Sequence, residues 1–246
     1  STASSCALIW PERNTPGMEQ SPYKVEIMYD SLAKKWAETF VNEHQNKPMD
    51  CELLERFARE IENNRPVWDF GCGPGNTSHF LNDLGVETSG LDLSEGILEQ
   101  ARAMNPGIHF RKGTMLDLEF GNDSIAGITA FYAIVHFTQE QVNRAFREIF
   151  RVLRPGGLFL FTFHIGGKTI HLTEFLDHEV DIDFMFFSTG FIRGALETCG
   201  FEKLEIIERE PYPEIEYQSR RAYVFARKPR ETYQTVLRHS KQRTLR

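Results

Sequence analysis

The segment VWDFGCGPGN, residues 67–76, places one acid and three glycines at the end of a short apolar run. Asp69 lies in the run, and Gly71, Gly73 and Gly75 follow at alternate positions. Glycines allow positive φ angles and let a ligand approach the backbone, because no Cβ intervenes. The loop after the first strand of a doubly wound sheet meets the ligand where the strand order reverses. The segment therefore predicts a ligand-binding loop.

A second acid, Asp92, ends the next predicted strand in GLDLS, about twenty residues after the first glycine. A carboxylate at that position can accept hydrogen bonds from both ribose hydroxyls. The nicotinamide fingerprint GxGxxG or GxGxxA fails, because Asn76 occupies the place of its last small residue. Asp69 would repel a pyrophosphate and attract a cationic ammonium group. A ribose and an ammonium without a phosphate indicate S-adenosylmethionine.

Strands and helices alternate from residue 66 onward, which predicts βαβ units and a mainly parallel sheet with right-handed crossovers. Ser94, Thr138 and Ser188 are predicted N-caps, PGG is a predicted turn, and Gly200 follows the last helix. The link PYPEIEYQ between the last two strands is too short for a crossover helix, so these strands should form a hairpin.

We divide the chain into a loose leader (1–21), a single domain (22–228) and a basic tail (229–246). The domain begins with two predicted cap helices within 22–63: one from Tyr23, which Pro48 breaks, and one from about Asp50 as its N-cap. The segment 165–187 mixes aromatic, aliphatic and acidic residues. We expect it to be an insertion that roofs the acceptor site, and packing against the N-terminal helices is an equal alternative.

Composition limits the class of protein. The chain has 246 residues, of which 41% are hydrophobic and 26% charged, which suits one globular domain with additions. No apolar run of 18 residues predicts a membrane span, and no N-terminal pattern predicts a secretory signal. The four cysteines lie far apart, which favours a reducing cytoplasm over a disulfide scaffold or zinc site.

Charge is distributed unevenly along the chain. The formal net charge is −7, although the last twenty residues carry about +6. An acidic body argues against a nucleic-acid groove, and a solvated terminus is the simplest interpretation of the basic tail. A tail that contacts RNA or an acidic partner stays open as an alternative.

Five blocks in order, VWDFGCGPGN, LDLS, GTMLDL, AFYAIVHF and FREIFRVLRPGGLFLFTF, resemble the motifs of class I S-adenosylmethionine-dependent methyltransferases. The resemblance covers roughly residues 66–227 and is closest to the small-molecule branch with a ubiquinone-biosynthesis-like core. It implies a Rossmann-like α/β fold: a doubly wound seven-stranded sheet, mostly parallel, with an antiparallel last strand.

The resemblance also implies a cofactor site. Its glycines admit the methionine and ribose, the first acid helps to hold the ammonium, and the second acid holds the ribose hydroxyls. The resemblance places Leu93 against the adenine and Thr114 and Met115 at its edge. It places the Phe131 carbonyl at the ammonium, and Tyr29 and Trp36 as an aromatic cap over the cofactor. Thr114 stands where the family often has an acid. The implied residues are Tyr29, Trp36, Asp69, Gly71, Gly73, Asp92, Leu93, Thr114, Met115 and Phe131.

A general base is needed only if the acceptor must lose a proton. His136 and His164 follow the fourth and fifth predicted strands, at the edge where open α/β sheets bind ligands, and are the candidate bases. His171 and His178 in the insertion are weaker candidates. The alternative for each histidine is a structural role, in which it hydrogen-bonds the backbone and shapes the loop. No Asp/Asn-Pro-Pro-aromatic tetrad follows the fourth strand, which argues against a DNA base as acceptor.

The sequence thus predicts a methyltransferase that acts on a small, partly apolar molecule without a metal. An RNA-modifying methyltransferase that uses the basic tail is one alternative. A scaffold that binds the cofactor without activity is another, although the intact loop and acids argue against it. A nicotinamide dehydrogenase is the most distant.

Overall fold

A computed structural model describes residues 21–41, 43–61 and 66–230. The predictions for the leader and for most of the basic tail lie outside the described residues. In chain order the elements are α1 (Pro22–Phe40), α2 (Pro48–Ile61), β1 (Val67–Phe70), α3 (Asn76–Asp83), β2 (Thr88–Asp92), α4 (Glu95–Met104), β3 (Phe110–Lys112), β4 (Ile125–Phe131), α5 (Gln139–Val152), β5 (Leu153–His164), β6 (Thr169–Phe175), β7 (His178–Met185), α6 (Thr189–Cys199), β8 (Glu202–Arg209) and β9 (Arg221–Arg227).

Seven strands form the main sheet in the order β3-β2-β1-β4-β5-β9-β8. The first five pair in parallel, and β9 is antiparallel to both of its neighbours. The strand order reverses between β1 and β4, so the loops after these strands open into one crevice. The predicted mostly parallel, seven-stranded sheet with an antiparallel last strand is confirmed.

Most helix ends follow the local signals in the sequence. The side chains of Ser94, Thr138 and Ser188 each accept a backbone N–H from the first turn of α4, α5 and α6. These bonds satisfy donors that have no partner inside the helix. Gly200 ends α6 with φ 98°, in the left-handed region where a Cβ would be strained.

Two local predictions were wrong. The helix α2 begins at Pro48, whose fixed φ suits a first helical turn, and not at Asp50. Asp50 lies inside that turn, and its side chain is buried. There its carboxylate accepts a hydrogen bond from the Tyr223 hydroxyl. The segment PGG lies within β5 and not in a turn outside it, with Gly156 at φ 82° beside a shift of register against β4.

The insertion is a two-stranded antiparallel hairpin formed by β6 and β7. Its apolar side chains, among them Ile170, Leu172 and Phe184, form one buried cluster with Met28 and Leu32 of α1. The helix α1 also packs along α4. The first helix and the insertion therefore stabilise each other over the carboxyl ends of the parallel strands.

Candidate active site

The loop after β1 is bonded to the acid at the end of β2. The Gly73 N–H donates to Asp92 Oδ2 at 2.9 Å, and the Ser94 N–H donates to Asp92 Oδ1 at 3.0 Å. The Leu91 carbonyl accepts the N–H groups of Gly71 and Cys72. Burial raises the pKa of Asp92, and the hydrogen bonds from the Ser94 and Gly73 N–H groups act in the opposite direction. The carboxylate is thus held in one orientation, and each oxygen keeps a lone pair for a further donor.

The three glycines of the loop serve different purposes. A Cβ on Gly71 would lie 2.5 Å from the Ala133 Cβ, and a Cβ on Gly75 would lie 2.7 Å from the Phe110 ring. A Cβ on Gly73 would meet only the Trp36 indole nitrogen, at 3.8 Å. Packing therefore requires glycine at the two outer positions. At Gly73 the missing side chain leaves space for a ligand.

Matched alanine substitutions should separate these roles. Gly75→Ala should destabilise the fold, because its Cβ collides with Phe110 and Asn105 at φ 89°. Gly73→Ala, at φ 53°, adds a strain of about 1–3 kcal/mol but no collision. We expect it to remain folded and to lose nucleoside affinity. Thermal unfolding and calorimetry with S-adenosylhomocysteine measure the two effects. Equal loss of stability in both variants would contradict the distinction.

Both carboxylate oxygens of Asp69 accept hydrogen bonds from neighbouring hydroxyls. Thr129 Oγ1 donates to its Oδ1 at 2.9 Å, and Ser78 Oγ donates to its Oδ2 at 3.0 Å. Burial raises the pKa of this carboxyl group to about 7, against the effect of these two bonds. Asp69 thus ties β1 to α3 and β4. Its expected contact with an ammonium group stays a prediction.

The predicted aromatic cap lies over the loop. Tyr29 and Trp36 of α1 contact each other edge to face, with ring centroids 5.1 Å apart. The cap helix is anchored by Asp30, whose Oδ1 accepts the Ser94 hydroxyl at 2.5 Å and the Gly96 N–H at 2.9 Å. Ser94 also donates its N–H to Asp92, so this one residue is bonded both to Asp30 of the cap helix and to Asp92.

His136 is held between the cap helix and the hairpin. Its Nδ1 lies 2.9 Å from the Asp183 carbonyl, and that oxygen can only accept, so Nδ1 donates. The Tyr29 hydroxyl lies 2.9 Å from Nε2 and donates to it. Burial lowers the pKa of His136 to about 4. The imidazole is therefore neutral near pH 7. The lone pair on its Nε2 accepts the hydrogen bond from the Tyr29 hydroxyl.

Titration of His136 should lower stability in acid. The unfolded imidazole binds a proton near pH 6.5 and the folded one near pH 4, so the unfolded state binds more protons between these values. The free energy of unfolding should fall by roughly 3 kcal/mol from this group as pH drops through that window. Chemical unfolding of the wild type and of His136→Gln at several pH values measures the difference. A difference that is constant with pH would contradict the assignment.

His164 lies at the end of β5, next to the link between β8 and β9. Its Nδ1 is 2.7 Å from the Ser219 hydroxyl, and its ring stacks on Phe186 with centroids 4.9 Å apart. Burial, and then the positive charges of Arg221, Lys47 and Arg209, hold the pKa of His164 well below its usual value. His171 pairs with Asp183 at 2.8 Å, and His178 is exposed; neither borders the cavity described next.

A cavity of about 500 Å³ brings the predicted residues together. All ten residues of the implied cofactor site border it, and so do both candidate bases. Phe175, Leu176 and Phe184 of the hairpin also line it. Thr114 Oγ1 accepts the Leu116 N–H at 3.2 Å, so its hydroxyl proton can still be donated. Among the described residues no cluster of metal ligands occurs, and no helix there is long and apolar enough to cross a membrane.

Sequence reasoning missed a set of buried polar residues at one end of this cavity. They come from the start of α2, the loop after β4, and the β8–β9 hairpin. No motif marks them, because the chain segments are distant and the pairing arises only in the fold. The one local sign, φ 53° at Tyr132, is visible only in the structure. Four of them, Lys47, Asp50, Glu216 and Arg221, are buried and border the cavity. Tyr132 borders it and is half-buried, and Arg209 is buried and bonded to Glu216.

Comparison with known proteins agrees with this geometry. Residues 67–157 match a family described as a methyltransferase domain. Over this segment the chain resembles the class I S-adenosylmethionine-dependent methyltransferases. A probable S-adenosylmethionine-dependent methyltransferase from Mycolicibacterium smegmatis is 28% identical over 200 residues, which are 78% of this chain and 64% of that protein. The uncharacterized methyltransferase YcgJ of Bacillus subtilis is 35% identical over 134 residues, 52% of each chain.

A solved methyltransferase from Methanosarcina mazei superposes with a TM-score of 0.63 at 16% identity, covering 72% of this chain and 98% of that one. At this identity the likeness shows the methyltransferase fold alone. The present chain spans about half to two thirds of the length of the first curated relatives it matches. The cofactor of the family is S-adenosylmethionine. The open cradle at Gly73 and the oriented Asp92 carboxylate fit its ribose and methionine.

Proposed function

We propose that this methyltransferase transfers the methyl group of S-adenosylmethionine to a small, partly apolar molecule. The observation that carries the proposal is the Asp92 carboxylate, bonded to the open loop position Gly73 at the wall of the cavity. Aromatic side chains of the cap helix and the hairpin supply apolar walls next to that position. Such a cavity suits a small molecule better than a polymer.

The relatives do not share one acceptor. One is a malonyl-[acyl-carrier protein] O-methyltransferase from Enterobacter lignolyticus, 30% identical over 46% of that protein. Another is a demethylmenaquinone methyltransferase from Symbiobacterium thermophilum, 28% identical over 62% of that protein. These names differ in the chemistry of the acceptor. The acceptor of this chain has therefore to be inferred from its own cavity.

When bound, the cofactor supplies an activated methyl group on a sulfonium. The residues of this chain then have to position and enclose the reactants, and positioning can contribute on the order of 7–11 kcal/mol. The loop and Asp92 fix one reactant, and the walls from α1 and the β6–β7 hairpin exclude water. Neither candidate histidine is a strong base: both have lowered pKa values, and Tyr29 occupies the lone pair of His136. The site thus favours an acceptor that is nucleophilic without losing a proton.

Binding and turnover test the proposal separately. Calorimetry should show micromolar binding of S-adenosylhomocysteine and no response to NAD. Incubation of the protein with methyl-labelled S-adenosylmethionine and pools of small molecules should then give labelled product that is absent with Asp92→Ala. Tight NAD binding without a response to S-adenosylhomocysteine would refute the cofactor, and labelling of RNA but of no small molecule would refute the acceptor class.

A further inference from the structure

One end of the cavity is strongly polar. We define the polar end as Lys47, Asp50, Tyr132, Glu216 and Arg221, all of which border the cavity. All but Tyr132 are buried, at 8% exposure or less. The Arg221 Nε lies 3.0 Å from Glu216 Oε2, and Lys47 Nζ lies 3.7 Å from the same oxygen. These charges face the space beside the strand ends, where a second reactant would lie next to the cofactor.

Several donors at the polar end are not used by the protein. The Tyr132 hydroxyl is buried and has no hydrogen-bond partner among the described residues. Beside the polar end, the buried Nδ1 of His44 also has no partner among the described residues, and it donates or accepts according to the tautomer. The Nε2 of the same ring lies 3.2 Å from the Thr77 hydroxyl. Lys47 donates to Glu43, which leaves further N–H donors on its ammonium group. Buried polar atoms without partners are rare, and each needs an explanation such as a water, an ion or a ligand that binds there.

The electrostatic balance at the polar end favours an anion. The cations Lys47, Arg209 and Arg221 lower the pKa of His164. The carboxylates that pair with them are Glu43, Asp50 and Glu216. Among the acids, burial raises the pKa of Asp50, whose carboxylate also accepts a hydrogen bond from the Tyr223 hydroxyl. Glu216 is saturated by two arginines and the Tyr212 N–H. An incoming anion therefore meets donors that the protein does not use, namely the Tyr132 hydroxyl and the remaining N–H groups of Lys47.

We propose that the polar end binds a carboxylate carried by the methyl acceptor, with the Tyr132 hydroxyl and the Lys47 ammonium as donors. This inference rests on the proposed function. Tyr132 follows the last residue of β4, so a carboxylate on its hydroxyl places the remainder of the acceptor against the apolar walls. A phosphate would bring a second negative charge close to Glu43 and Glu216, so a monoanion fits better. A partly apolar carboxylic acid is the substrate class.

The methionine of the cofactor also carries a carboxylate, so the test must distinguish the two sources. The probes are benzoate, its neutral counterpart benzamide, and phenyl phosphate, each titrated by calorimetry into the full chain saturated with S-adenosylhomocysteine. Benzoate should bind at least about tenfold more tightly than either of the others. Benzoate binding that occurs only without the nucleoside would assign the polar end to the cofactor and overturn the proposal. Equal binding of benzoate and benzamide, tighter phenyl phosphate, or no binding of benzoate would also overturn it.

Variants locate the contact. Tyr132→Phe should lower benzoate affinity about tenfold or more while benzamide is unaffected, since a hydrogen bond to a charged group is lost. Lys47→Met should act likewise, and Lys47→Arg should retain part of the preference. Lys112→Met, which removes an exposed lysine bonded to Glu26, is the matched control and should change nothing. A preference for benzoate that survives both Tyr132→Phe and Lys47→Met would refute the assignment.

The nucleoside titration separates the two levels of inference. If S-adenosylhomocysteine does not bind the wild type, the proposed function fails. If it binds normally while the three probes are not distinguished, only the carboxylate site fails. Thermal unfolding of each variant with the nucleoside shows that a loss of benzoate binding is not a loss of fold.

Discussion

Asp92→Ala should lower the affinity for S-adenosylhomocysteine by at least about 100-fold. The substitution removes two acceptors for ribose hydroxyls, and each hydrogen bond to a charged group contributes roughly 1.5–3 kcal/mol. It also leaves the N–H groups of Gly73 and Ser94 without their acceptor, so the loop loses its orientation. Calorimetry gives the dissociation constant, and methyl transfer should fall with the occupancy of the site.

Asp92→Asn is the matched comparison. It keeps the shape of the side chain but replaces one oxygen by an NH₂ group, which would face either the Gly73 or the Ser94 N–H. We expect a loss of affinity close to that of alanine, because a donor then faces a donor. Glu95→Gln, which removes the acid from a solvent-exposed ion pair with Arg102, should leave affinity unchanged. An unchanged dissociation constant for Asp92→Ala would place the ribose elsewhere.

Glu216→Gln should destabilise the fold by about 3–5 kcal/mol, the usual effect of removing one partner from a buried ion pair. Its carboxylate is almost completely buried and lies against three cations, Arg209, Arg221 and Lys47. Without it, Lys47 keeps its pair with Glu43 and Arg209 keeps its pair with Asp50, whose pKa is already raised. Chemical unfolding monitored by circular dichroism measures the difference.

Glu214→Gln, two residues earlier and exposed, provides the control. Its free energy of unfolding should differ from that of the wild type by no more than about 0.5 kcal/mol. High salt should not restore Glu216→Gln, because buried charges are screened much less than exposed ones. A loss below 1 kcal/mol for Glu216→Gln would mean that the pairs around it contribute little to stability.

The sheet and the cofactor edge were predictable because their signals are local. Strand patterns and serine or threonine caps act within a few residues, and the sheet and helix starts that they predicted are confirmed. The cofactor contacts of the glycines and strand-end acids stay predictions, although these residues border one cavity. The start of α2 was wrong because Asp50 resembles an N-cap locally, whereas in the fold its carboxylate is a buried partner of Tyr223. Proline at the first helical position had the stronger signal.

The acceptor end was not predictable for the opposite reason. Lys47 and Glu216 lie far apart in the chain and meet only when α2 packs near the β8–β9 hairpin. In the sequence a buried charged residue is the same residue type as an exposed one. No periodic spacing distinguishes the two. The neutral state of His136 likewise depends on Tyr29 and Asp183, two residues from separate elements.

The unequal glycines of the first loop affect how related sequences should be read. A descendant that lost its cofactor would still need glycine where a Cβ would strike Ala133 or Phe110, since folding alone retains those two positions. Drift would be visible first at Gly73 and Asp92, which no such collision protects. Among homologues, an inactive pseudoenzyme should therefore keep most of the motif and differ at this one pair. The pair, and not the whole motif, is the evolutionary marker of retained catalysis.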